Sequence, residues 1–329
     1  MPRPAAWRVK RRVVLKRAGL SLLLLVLILF LALKGLQQFD AMVGRTTHRV
    51  TEVTVAGVRV ALWKPAGEAP PGGFPLVLFS HGFTGCDTQS IFLMEALAQA
   101  GYFVLAPNHR DAACGSAQGT DDWYPGKLFE KLQSTPSQKP FYDPGAWSDA
   151  TFKDRAADLK ALLDAVLGER EFQGVPIDAT RIGVAGHSLG GYTVLGVAGA
   201  WPSWKDPRIK AVLALSPYCA PFVKKGDLGH LGVPVMYQGG TRDVGITPSV
   251  RRAGGAYDLT SIPKYYVELD GAGHFAWTNL NKQYQSLIAR YAVAFFSRYL
   301  SGKPGPDPMN SLLADPPPKG VSSFKAATK

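Results

Sequence analysis

The sequence predicts an α/β fold: a mostly parallel sheet with helices on both faces. Two observations carry this. After an opening hairpin, short apolar runs alternate with helical periodicities as far as residue 300, the pattern of parallel strands joined by helical crossovers. Midway, over residues 181–196 (RIGVAGHSLGGYTVLG), a β-branched apolar run passes through Gly186-His187-Ser188-Leu189-Gly190 into a helix of small apolar residues reaching Ala200. A serine between glycines at such a junction is expected on a tight, strained turn with its hydroxyl exposed. The spelling alone is a weak signal in a chain with 35 glycines, and a plain surface turn is the alternative. The strand before it and the helix after it favour the strained turn.

The elements follow in order. Residues 49–55 and 58–63 alternate around Ala56-Gly57 like an antiparallel hairpin. Residues 75–80 form a continuous apolar run, as in a strand buried on both faces, and lead into His81-Gly82-Phe83-Thr84-Gly85. Helical spacing over 88–100 closes at Gly101, and 102–106 is another buried strand. Residues 112–151 break the rhythm with Gly, Ser, Pro and scattered aromatics such as Trp123, Phe141 and Trp147. So long an irregular insertion is expected to be a lid or substrate wall; a surface excursion tied down by its aromatics is the alternative. A helix over 152–167 precedes the serine strand. Strands over 209–215, 234–239 and 264–269 and a closing helix over 283–300 complete a domain spanning 49–300. The Pro- and Lys-rich residues 301–329 are expected to be a disordered tail.

A chain of 329 residues, 46% hydrophobic and 19% charged, suits one large globular domain and excludes general disorder. The net charge of +12 suggests nucleic acid at first, yet residues 1–40 hold eight Lys and Arg against Asp40 alone. No aromatic-interleaved basic patch, zinc-finger or RNP-like pattern follows, so no nucleic-acid partner is expected. Residues 18–36 are apolar apart from Gly19, Ser21, Lys34 and Gly35. As a helix they span about 28 Å, enough to cross a bilayer. With the basic block 1–17 held in the cytoplasm, this predicts a signal anchor, a linker over 37–48 and a domain outside the cytoplasm. A cleaved signal peptide, with secretion, is the alternative, and Arg11-Arg12 loosely matches a twin-arginine signal. Of the three cysteines, Cys86 and Cys114 would pair if the third and fourth strands are neighbours, with Cys219 left over. No cysteine or histidine spacing suggests a metal.

A serine hydroxyl becomes a nucleophile only with a base in hydrogen-bond reach, a carboxylate to orient that base and donors for the oxyanion. Among six histidines, His274 follows the last strand on the glycine loop 270–275 and suits a base reaching across the sheet's carboxyl edge. His187 adjoins the serine too closely, His81 and His109 are expected to brace loops, and His48 and His230 have no evident partner. Asp243, after strand 234–239, is the candidate acid, with Asp270 as competitor, since the expected chain order is serine, acid, histidine. The backbone N–H groups of Phe83 and Leu189 are the candidate oxyanion donors, with Gly82 allowing close approach of substrate.

At this point the sequence resembles the α/β-hydrolase superfamily, and within it the dienelactone-hydrolase-like serine esterases that include cutinase-type polyester hydrolases and platelet-activating-factor acetylhydrolases. The resemblance rests on residues 79–85, Asn108-His109-Arg110-Asp111, residues 186–191, Leu215-Ser216-Pro217-Tyr218, residues 239–243 and residues 268–275. It implies the triad Ser188, Asp243 and His274, oxyanion donors Phe83 and Leu189, and no cofactor or metal. Tyr218 stands where polyester hydrolases usually carry tryptophan beside the acyl site, so Tyr218 and Gly82 are expected to line the pocket. That substitution and the 112–151 insertion favour an enclosed acyl pocket for a small or lipid-like ester. Transfer of the acyl group to an alcohol or lipid, and a non-catalytic binding protein on the same fold, are the competing functions.

Overall fold

In the computed structural model the described residues are 50–112, 135–225, 227–302, 306–312 and 317–328. The predicted membrane span with its flanks, 1–48, and part of the insertion lie outside them. Among the described residues no helix is long and apolar enough to cross a membrane.

The hairpin forms as β1 (Thr51–Val55) and β2 (Val58–Trp63). Ala56 and Gly57 both take positive φ between them, the backbone that a two-residue hairpin turn demands. β3 (Phe74–Ser80), α1 (Ile91–Gln99) and β4 (Phe103–Pro107) come next. α2 (Lys153–Leu167) leads through the short β5 (Glu171–Phe172) to β6 (Val175–His187), the serine strand, longer than its apolar core suggested. α3 (Leu189–Leu195) ends earlier than expected and passes into a π-helical turn, Gly196–Ala200. β7 (Ile209–Leu215), α4 (Ala220–Lys225) and β8 (Val235–Gly240) follow, then the short α5 (Pro248–Arg251) and α6 (Ala256–Leu259). β9 (Lys264–Leu269), α7 (Gln285–Leu300) and β10 (Val321–Ala327) complete the chain.

The strands form one sheet in the order β1-β2-β4-β3-β6-β7-β8-β9-β10, parallel from β4 to β9, with β5 paired to the start of β6. Alternate residues feed two cores. Leu76, Leu78, Val184 and Val212 face α2 and α3, while Val77, Phe79, Ala185 and Leu213 face α1 and α7. α7 contributes Ile288, Tyr291, Phe295 and Phe296, all fully buried. At roughly 2 kcal/mol for each such side chain, this face rather than helix propensity holds α7 in place.

β10 departs from the expected disordered tail. Val321–Ala327 pairs antiparallel with β9, and its Phe324 packs on Tyr265 and Tyr291. An otherwise open sheet edge gives a polar, proline-flanked segment the hydrogen bonds and aromatic contacts that its composition did not advertise.

The register sets the site. Ser80 lies beside Gly186, His187 beside Leu215, Leu215 beside Gln238 and Gly240 beside Leu269. The carboxyl ends of five neighbouring strands therefore finish level, and the loops after them meet at one rim.

Candidate active site

Ser188 occupies the tip of the turn between β6 and α3 at φ 56°, ψ −115°. A side chain there is strained, and the turn survives because its neighbours leave no alternative. A Cβ on Gly186 would overlap the carbonyl of Gly190, and one on Gly190 would overlap the carbonyl of Ser80. The Ser188 N–H donates to the Leu215 carbonyl at 3.1 Å, which ties the turn to β7.

His274 opens a short 3₁₀ turn after β9 and points its Nε2 at Ser188 Oγ, 2.9 Å away. Its Nδ1 faces Asp243, 3.4 Å from each carboxylate oxygen. Ser216, at the end of β7, stands between the two. Its Oγ is 2.9 Å from His274 Nδ1 and donates to Asp243 Oδ2. Burial pushes the Asp243 carboxyl toward protonation, but hydrogen bonds from His274, Ser216 and Thr247 and the charge of His274 outweigh it and lower its pKa. The sequence-predicted Ser188, Asp243 and His274 are thus brought together. Asp270 accepts from Thr241 Oγ1 on the adjoining loop, so it shapes that turn.

The loop after β3 is held from beneath. Arg155, fully buried on α2, donates to the carbonyls of His81 (2.7 Å) and Gly82 (3.0 Å) and makes a two-pronged pair with Asp111. Asp111 in turn accepts from the Thr84 N–H at 2.9 Å. Burial favours a protonated Asp111, but the Arg155 charge overrides it and drives the pKa far down. His81 and His109 brace the loop as expected, and burial together with the Arg155 charge keeps both neutral. Among the described residues, neither the Phe83 nor the Leu189 N–H finds an acceptor.

A second chain of hydrogen bonds links this loop to the base. The Gly82 N–H donates to Gln89 Oε1 (2.9 Å), Gln89 Nε2 donates to His187 Nδ1 (3.1 Å), and His187 Nε2 donates to the His274 carbonyl (2.9 Å). The amide therefore sets the His187 tautomer, and burial followed by the nearby His274 lowers its pKa to about 3.

Above Ser188 lies a cavity of about 450 Å³, bounded by Gly82, Phe83, Phe141, Ile246, His274 and Phe275 among others. Gly82 lines it as expected, whereas Tyr218 is not among its lining residues. Phe141, from the insertion, packs edge-on against both Phe83 and Tyr218, and the Tyr218 hydroxyl donates to the Phe141 carbonyl at 2.7 Å. Tyr218 thus anchors the wall, and Phe141 is its face. Cys86 is disulfide-bonded, Cys219 is a buried free thiol, and Cys114 lies outside the described residues. Among the described residues no group of three or more His, Cys, Asp and Glu side chains is placed to hold a metal ion.

Sequence reasoning gave Ser216, Gln89 and Phe141 no individual role. The available signal for Ser216 was its place at the carboxyl end of the strand beside the serine strand. For Phe141 it was its place among the aromatics of the insertion expected to wall the site, and nothing local marked Gln89.

The chain is similar to proteins of two described families. The family described as platelet-activating factor acetylhydrolase, isoform II, matches residues 31–125. Cutinase 2 of Thermobifida cellulosilytica is 34% identical over 149 residues, 44% of this chain and 52% of its own length. A cutinase of Thermobifida fusca is also 34% identical over 149 residues, 44% of this chain and 42% of its own. A bis(hydroxyethyl) terephthalate hydrolase of Streptomyces coelicolor is 29% identical over 148 residues, 44% of this chain and 43% of its own. The chain spans about half the length of the curated relatives it matches. The family described as PET hydrolase-like matches residues 150–324. That stretch is more than half of the sequence and carries the serine turn, Ser216, Asp243 and His274, so the chain belongs to the PET hydrolase-like family.

Proposed function

We propose that the chain is a serine hydrolase of carboxylic esters that works through an acyl-enzyme. Ser188 Oγ attacks the ester carbonyl while His274 Nε2 takes its proton, and Asp243 stabilises the imidazolium that results. The oxyanion accepts hydrogen bonds from the Phe83 and Leu189 N–H groups. Collapse returns the proton from His274 to the leaving alcohol. Water deprotonated by the same nitrogen then releases the acid and restores Ser188. The observation that carries this reading is the 2.9 Å contact between Ser188 Oγ and His274 Nε2 at the floor of the cavity.

The mainly apolar walls, Phe83, Phe141, Ile246 and Phe275, together with relatives named as cutinases and a terephthalate-ester hydrolase, support an apolar ester as substrate. The leaving group must lie within reach of His274, so the acyl group takes the opposite side, against Phe83 and Phe141. The sequence of residues 1–36 supports a domain carried outside the cytoplasm on an N-terminal anchor, or released after its cleavage. Ser188→Ala is expected to lose turnover of a p-nitrophenyl ester and labelling by a fluorophosphonate while keeping the wild-type Tm. Turnover retained in that variant would refute the reading.

A further inference from the structure

Ser216 lies between the carboxylate and the base, on a path of closer contacts than the direct 3.4 Å reach from Asp243 to His274 Nδ1. Its hydroxyl has one proton, and the neighbouring Asp243 carboxylate accepts it. Its oxygen is then free to accept from His274 Nδ1–H at 2.9 Å, a shorter reach than the 3.4 Å from that nitrogen to either carboxylate oxygen. The direction of both bonds is fixed, because a carboxylate can only accept and an imidazole with a free Nε2 lone pair must donate from Nδ1. Ser216 is fully buried, so water does not compete for the site.

The backbone supplies a second, independent observation. Ser216 sits at φ 40°, a left-handed value that costs a side-chain-bearing residue roughly 1 kcal/mol and that glycine adopts freely. Stability alone therefore argues for glycine here. A serine kept at such a position directs attention to what its hydroxyl does.

We propose that Ser216 is a positioning residue through which Asp243 aligns the base, so that the working assembly is a relay of four: Asp243, Ser216, His274 and Ser188. The inference rests on the esterase reading above. No proton crosses Ser216. When His274 takes the Ser188 proton on Nε2, Nδ1–H remains on the imidazolium, Ser216 keeps its own proton, and Asp243 remains a carboxylate. The hydroxyl passes on the carboxylate's polarisation and holds the ring in the plane that aims Nε2 at Ser188.

Two variants test this on the whole chain with a p-nitrophenyl ester. Ser216→Gly removes the hydroxyl and relieves the backbone. It is expected to fold with a Tm equal to or above wild type, yet to lose kcat about 10- to 100-fold, what one orienting hydrogen bond to a charged group is worth. KM should stay within twofold and the acid limb of the kcat/KM profile should move. Ser216→Ala, which keeps the strain, should lose kcat similarly without the gain in Tm. Wild-type kcat and an unmoved pH profile in Ser216→Gly, with the parent active, would overturn the inference and leave the esterase reading standing. A parent that turns over no ester and takes no fluorophosphonate label would overturn the esterase reading and the relay with it.

Discussion

Arg155 and Asp111 meet through two parallel hydrogen bonds of 2.9 Å beneath the loop that carries Phe83. The arginine has no exposure at all, and its remaining donors go to the carbonyls of His81 and Gly82 and to the Ser80 hydroxyl. The pair fixes the turn whose next N–H, that of Phe83, is the proposed oxyanion donor. Removing one partner of such a buried pair strands the other charge, at a cost of about 3–5 kcal/mol. Arg155→Met is therefore expected to lose that much stability in urea unfolding. Adding Asp111→Asn to it should recover part of the loss, because the stranded carboxylate is gone. Simple additivity of the two losses would show that the charges are not coupled.

His187 gives the protein a defined acid weakness. Its folded pKa is depressed to about 3, against about 6.5 in the unfolded chain. Between those values the unfolded state binds a proton that the folded state refuses, so its contribution to stability falls as pH falls and is unaffected above about pH 7. From pH 6.5 to 4.5 the loss amounts to about 2.3 kcal/mol. His187→Gln, whatever its stability at pH 7, should lose less than wild type over that interval. Identical pH slopes in the two proteins would contradict the assignment.

Phe141 is expected to limit the acyl group. Its ring closes the space between Phe83 and Tyr218, and Phe141→Ala opens room for one or two further methylenes. At about 0.8 kcal/mol each, the ratio of kcat/KM for p-nitrophenyl octanoate to that for the acetate should rise roughly tenfold. An unchanged ratio would place the acyl chain elsewhere. Tyr218→Phe, which removes only the anchor to the Phe141 carbonyl, should shift the ratio in the same direction by less.

β10 protects the edge of β9. Truncation after residue 318 bares the β9 edge and leaves the rings of Tyr265 and Tyr291 without Phe324. The truncated protein should melt several degrees lower and form higher-order species in size-exclusion chromatography. A monomeric product with an unchanged Tm would mean that β10 is dispensable.

What the sequence determined by itself is local or ordered along the chain. Apolar runs such as 209–215 and 264–269 were readable as strands because burial on both faces demands uninterrupted apolar residues. The Ser188 turn was readable because only glycines tolerate that backbone approach. Serine, acid and histidine were readable because each follows a strand in the order the fold requires. Tertiary structure alone decided the contacts between distant segments. Ser216 between Asp243 and His274, Gln89 linking Gly82 to His187, Phe141 covering Tyr218 and β10 closing the sheet all join residues with no shared periodicity. Their geometry depends on strand register and loop packing, which a one-dimensional pattern of polar and apolar residues does not encode.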